Sequence, residues 1–260
     1  MNNQFPYIGV TGVMTGEEAV RLHTEYRRTF DRNTAKSHDW PSLMVGGLVS
    51  SKTLFGETNK YPNRYPAVEV LSEVFIEGDG YHTLNLVHYS TDNPENLAEE
   101  IDYVVDYAGR NLTGIQFNAM WPSEKHIAVI RQNHPNLFLV LQVGHRALES
   151  VCWKGYQLQN VVKRYGESIN GVLLDPSGGR GELLDAEKLS GMVRDLMEMN
   201  LAIGVAGGLS AETMEVISPL ADICSYLSVD AEGRLRDEDD NLDFERVRPY
   251  FDAAVHELWY

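Results

Sequence analysis

Cysteine, basic residues and long apolar runs are all scarce in this chain. The two cysteines among 260 residues, Cys152 and Cys224, stand far apart and in no metal or redox spacing. That excludes a disulfide framework and makes a reducing, cytoplasmic setting the expectation. No apolar run approaches the roughly 20 residues of a membrane-spanning helix. The opening Met1-Asn2-Asn3-Gln4-Phe5 lacks the basic and apolar segments of a secretory leader. Lysine and arginine number 22 against 38 aspartates and glutamates, a formal charge of −16. Nucleic acid and anionic membrane are therefore not expected as partners, since both would be repelled. A small anion is not barred, because a local cluster of main-chain amides overrides the global field.

What is present is a foldable core. Hydrophobic residues make up 43% of the chain, and the length suits one large domain over residues 1–260. Apolar runs predict strands over residues 7–11, 43–49, 83–89, 114–118, 138–143, 171–175, 202–206 and 223–228. Segments of helical period lie between them, over 15–30, 67–75, 93–107, 123–133, 147–165, 185–199, 210–217 and 243–258. Thr15 followed by Glu18 is a capping-box pattern, and Asn93-Pro94 reads as an N-cap with proline in the first turn. Strict alternation of this kind predicts a closed (β/α)8 barrel, with a doubly wound open sheet as the rival. The charge run over 234–241 reads as a solvated loop before the last helix. The long 50–66 connection after the second strand reads as a lid over the barrel mouth or as an ordered surface loop.

The segment from Gly171 to Leu209 carries the clearest functional signal. One buried strand ends in Asp175 and a glycine cluster, Gly178, Gly179, Arg180 and Gly181; the next buried strand ends in Gly207-Gly208. Glycine lets backbone N–H groups approach an anion closely, so two such turns in successive βα units suit phosphate. In a barrel, strand-end residues converge on one mouth. These are Thr11 and Gly12, Lys52, His88 and Tyr89, Gln116 and Asn118, Gln142 and His145, Asp175, Gly207 and Gly208, and Ser225. A carboxylate, imidazoles, a lysine and amides beside two anion-binding turns are parts for acid–base chemistry on a phosphorylated molecule. Each also has a plain reading. Asp175 could cap its own turn, the glycines could serve close packing, and Thr11 could be a satisfied buried hydroxyl.

Several of these motifs resemble phosphoribosylanthranilate isomerase. Leu173-Leu174-Asp175, Gly178-Gly179-Arg180-Gly181 and Leu184-Asp185 resemble its strand-end Asp, GG-x-G turn and Phe-Asp pair. Ala206-Gly207-Gly208-Leu209 resembles its seventh-strand A-G-G-L, Val10-Thr11-Gly12-Val13 its opening strand, and Ile115-Gln116-Phe117-Asn118 its V-Q-L-H-G. Ser51-Lys52 and Arg64-Tyr65 resemble its K-S-x-R-Y loop with an insertion. The resemblance implies a TIM barrel without an organic cofactor or metal. It makes Asp175 the general acid, places phosphate on residues 179–181 and 207–208, and puts Arg64 near an aromatic carboxylate. It also places the family's general-base cysteine on Thr11, its strand-four histidine on Asn118 and its strand-eight phosphate turn on Cys224-Ser225-Tyr226.

Three readings stay open at this stage. The first is an isomerase- or lyase-like enzyme on a phosphorylated or anionic metabolite, with His88 or His145 taking the place of the missing base. The second is a barrel that binds a small molecule without turnover, and the third a metal-dependent hydrolase or aldolase using His88, His145 and Asp175. A monomer or a homodimer is expected.

Overall fold

The apolar runs become eight parallel strands because both of their faces are covered, one by helices and one by the barrel lumen. The structure, a computed structural model, describes residues 6–33, 40–77, 82–177 and 181–259. In chain order the elements are β1 (Tyr7–Thr11), α1 (Gly16–Asn33), β2 (Ser42–Ser50), α2 (Ser51–Leu54), α3 (Leu71–Val74), β3 (Thr83–Ser90), α4 (Leu97–Ala108), β4 (Gly114–Phe117) and α5 (Glu124–Asn133). They continue with β5 (Phe138–Gly144), α6 (His145–Ser150), α7 (Gly155–Val162), β6 (Gly171–Asp175), α8 (Ala186–Met197), β7 (Ala202–Ala206), α9 (Ser218–Ala221), β8 (Leu227–Ala231) and α10 (Phe244–Trp259). Each strand pairs with the next, and β1 closes on β8 through Ile8–Val229 and Val10–Ala231. The fold is a single closed (β/α)8 barrel.

Side chains alternate across each strand, so one set meets the helices and the other fills the lumen. Ile8, Val10, Val45, Val87, Ile115 and Val229 join the large core under the helices. Tyr7, Met44 and Leu86 cluster separately inside the barrel, as do Val140, Leu173 and Ala206, with Phe138 touching both groups. Further along the same inward register come Thr11, His88, Gln116, Gln142, Asp175 and Asp230. The lumen thus turns from apolar to polar toward the C-terminal ends of the strands.

Local signals explain most element starts. The Thr15 hydroxyl accepts from Glu18 N at 3.1 Å, while the Glu18 carboxylate accepts from Met14 N at 2.7 Å, so α1 is capped by the expected pair. Asp185 caps α8 by accepting from Lys188 N. Four expectations need correction. The helix expected from Asn93 opens with a 3₁₀ turn, Pro94–Asn96, and Asn93 makes no side-chain cap. The helix expected over 147–165 is broken, because Cys152 and Trp153 take φ of 51° and 55° between α6 and α7; the apolar period runs on across the break. The eighth strand is Leu227–Ala231 rather than 223–228. Helix α9 extends into a turn in which Cys224 N donates to Leu220 O at 2.9 Å, which delays the strand. The 234–241 run is not simply solvated, since Leu235 and Arg236 are buried.

Candidate active site

The polar end of the lumen opens into a cavity of about 470 Å³. Asp175 stands on its wall, 5% exposed, at the end of β6. Its carboxylate accepts from Gln142 Nε2 at 2.5 Å, and from Ser177 N and Ser177 Oγ at 3.1 and 2.8 Å. One oxygen thus ties the following turn while the other meets Gln142, so the turn-capping contacts coexist with a place in the cavity.

Asp230 is a second carboxyl on the same wall, 6% exposed. The Thr11 hydroxyl donates to it at 2.9 and 3.1 Å across the β1–β8 seam. Burial, with the charges of Glu232 and Asp175 nearby, raises its pKa well above the carboxylate range, even against the Thr11 bond. Thr11 therefore has a carboxyl partner that sequence reasoning did not supply. The apolar run over 223–228 sets the expected strand four residues early and leaves Asp230 outside it. The alternation of apolar Leu227, Val229 and Ala231 with polar Ser228 and Asp230 was the available signal.

His88, on β3, lines the cavity at 2% exposure. Burial lowers its pKa to about 3, so the imidazole is neutral near pH 7. Gln116 Nε2 sits 3.1 Å from His88 Nδ1 and 3.0 Å from Asn118 Oδ1. With Gln116 donating to both, Nδ1 accepts and the ring proton lies on Nε2. That Nε2 is buried with no protein partner. His88, which the sequence offers as a replacement base, thus lines the cavity as a neutral imidazole with its Nε2 buried.

Other predicted residues fall into three groups. Gln116, Asn118, His145, Gly181, Gly207 and Gly208 line the cavity. The two glycine-bearing turns touch: Gly207 and Gly208 have φ of 128° and 59°, and a Cβ at Gly208 would come within 2.8 Å of Gly181 O and 2.9 Å of the Glu182 carbonyl carbon. Only glycine fits there. Gly178, Gly179 and Arg180 lie outside the described residues. His145 sits at the rim, half-exposed, with Nε2 3.2 Å from Glu149 Oε1.

Lys52 and Ser225 do not join the site. Lys52 Nζ pairs with Asp92 at 3.2 Å, both side chains being exposed, and Lys52 does not line the cavity. Ser225 is exposed in the turn before β8, at the opposite end of the strand from the mouth. The turn that follows β8 is Glu232-Gly233-Arg234, and all three line the cavity.

The 50–66 loop leans over the mouth, contributing Tyr61, Arg64 and Tyr65 to the cavity wall. Arg64 is committed to its neighbours. Nε and Nη2 donate to Asp240 at 2.7–2.9 Å, and Nη1 donates to Glu232 at 3.0 Å. Burial raises the Glu232 pKa, while Arg64 and Arg236 oppose the rise. Arg236 crosses behind this pair and donates to Gly12 O at 2.7 Å. Gly12 has φ of 85°, and a Cβ there would fall on the Arg236 guanidinium. Sequence reasoning missed Glu232 and Arg236, whose partners are far away in the chain.

The parts support proton transfer. A buried carboxyl with a raised pKa, a carboxyl group held by three donors and a neutral imidazole share one enclosed space. Among the described residues, no three His, Cys, Asp or Glu side chains are gathered to hold a metal ion. Among them too, no helix is long and apolar enough to cross a membrane.

No family model matches the sequence, and no curated protein does. Solved structures do match along the whole barrel. The phosphoribosyl anthranilate isomerase of Thermotoga maritima shares 16% identity at a TM-score of 0.60, covering 96% of this chain and 99% of its own. The enzyme of Thermus thermophilus shares 14% identity at 0.59, covering 96% and 98%. Tryptophan synthase subunit alpha of Legionella pneumophila shares 10% identity at 0.57, covering 99% and 98%. The chain therefore carries the TIM-barrel fold seen in phosphoribosylanthranilate isomerases, the fold its short motifs resemble.

Proposed function

We propose that this barrel is an acid–base enzyme of the isomerase type acting on a small phosphorylated metabolite. The observation that carries the reading is the meeting of Asp175, Asp230 and neutral His88 on one cavity at the C-terminal ends of the strands. Asp230, whose raised pKa favours the protonated form, gives its proton to a carbonyl or ring oxygen. Asp175 takes a proton from the adjacent carbon, and His88 Nε2–H donates a hydrogen bond to the oxygen where charge gathers. Return of one proton to the neighbouring carbon and of the other to Asp230 completes a shift with no net proton change. The resemblance makes Asp175 the acid; the raised pKa of Asp230 favours giving that role to Asp230, with Asp175 as the acceptor. The touching turns at Gly181 and Gly207-Gly208 would receive the phosphate, with Arg234, whose Nε donates to Gly181 O at 3.3 Å, beside them.

The test is solvent-deuterium incorporation next to the carbonyl of phosphorylated aldoses and ketoses, followed by NMR. Exchange with at least one substrate, lost in Asp175→Asn, is expected. No exchange with any substrate, or exchange unaffected by that change, would overturn the reading.

A further inference from the structure

We infer that the substrate presents hydroxyl or amino groups, and no carboxylate, at the end opposite its phosphate. This rests on the phosphate reading above and adds the chemistry of the other half of the molecule.

A carboxylate at this mouth would look to Arg64, whose planar fork suits bidentate contact. That fork is already filled by the chain itself, with Asp240 on one edge and Glu232 on the other. Both loops of this clasp are fixed at the backbone. Arg236 Nη1 donates to Asn63 O at 3.1 Å and to Asp240 O at 2.7 Å, and Asn63 Nδ2 donates to Asp239 O at 2.9 Å. An incoming carboxylate would compete with a tethered one at high effective concentration. It would also enter a wall that already holds the carboxyl groups of Asp175 and Glu232, where like charge is rejected.

Neutral and cationic groups meet the reverse situation. Ser90, Gln116, Asn118 and Gln142 line the same space and offer amides and a hydroxyl that pair with hydroxyls. The His88 Nε2–H is a buried donor still lacking a protein acceptor. The carboxyls accept from an ammonium or a hydroxyl. The glycines at 181, 207 and 208 and the Arg234 side chain line the same cavity.

The test is calorimetric binding of glucosamine 6-phosphate and 6-phosphogluconate, alongside unphosphorylated glucosamine and gluconate. The wild type is expected to prefer the amine-bearing member of each pair at least tenfold. In Asp240→Asn, which opens one edge of the Arg64 fork, 6-phosphogluconate is expected to gain at least tenfold. Equal or tighter binding of the carboxylate-bearing member by the wild type overturns the inference, whether or not the variant folds. Preference for the amine with no gain from the phosphate would overturn the phosphate reading and keep only the exclusion of a carboxylate. Loss of the preference with the phosphate gain retained overturns the inference alone. Absence of binding in every arm overturns both.

Discussion

Replacing His88 with glutamine tests the electrostatics of the lumen without needing a substrate. The side chain changes least in length and keeps an amide for Gln116, but it cannot take up a proton. In the folded barrel the His88 pKa falls from 6.5 to about 3, so the unfolded chain binds the proton more readily. Stability contributed by the neutral ring is therefore whole above pH 6.5 and is lost as pH falls through the window down to about 3. Each pH unit below the unfolded value costs about 1.4 kcal/mol. Between about pH 7 and about pH 4.5 the wild type should then lose about 3 kcal/mol relative to His88→Gln. Any folded value at or below about 4 gives nearly the same loss over this range. Asp230 works in the opposite sense, its raised pKa removing stability as pH rises, but it is present in both proteins and cancels in the difference. Urea unfolding of the two proteins across this range reads the difference directly. A wild-type minus variant stability that does not change with pH would refute a buried neutral His88.

Asp230→Asn should gain stability relative to the wild type as pH rises above the ordinary carboxylate range, because the unfolded wild type releases a proton that the folded protein holds; urea unfolding against pH reads the sign. Thr11→Val should cost about 1–3 kcal/mol by stripping a buried hydrogen-bond donor from Asp230, whereas Thr11→Ser should stay near wild type, and thermal unfolding separates them. Gly208→Ala should cost about 1–3 kcal/mol of backbone strain and weaken phosphate binding; unchanged phosphate affinity would remove these turns from the site. Complementation of a strain lacking phosphoribosylanthranilate isomerase should fail, since Thr11 replaces the base that the resemblance requires and Arg64 is already occupied; growth would reverse that assignment.

The sequence was most legible where one physical signal dominated. Strands β1, β6 and β7 lie where their apolar runs end in Thr11, Asp175 and the Gly207-Gly208 turn. It misled where two signals overlapped. Ile223, Cys224 and Tyr226 suit a strand as well as Leu227 and Val229 do, and only the barrel's register decides between them. The break at Cys152 and Trp153 leaves helical periodicity intact on both sides, so no apolar pattern could reveal it. The basic character of Arg64 was plain from sequence. Its saturation by Glu232 and Asp240, 168 and 176 residues away, was not, because charge runs do not announce their partners.

The Thr11–Asp230 bond joins residues 219 positions apart, across the seam where the first strand meets the last. That separation couples chemistry to chain topology. An intermediate with seven strands paired and the eighth still loose would contain most of the hydrophobic core, yet Asp230, the proton donor proposed above, would be hydrated and ordinary in acidity. Recovery of proton transfer during refolding should therefore trail recovery of helical signal, and turnover would time the moment at which the ring shuts.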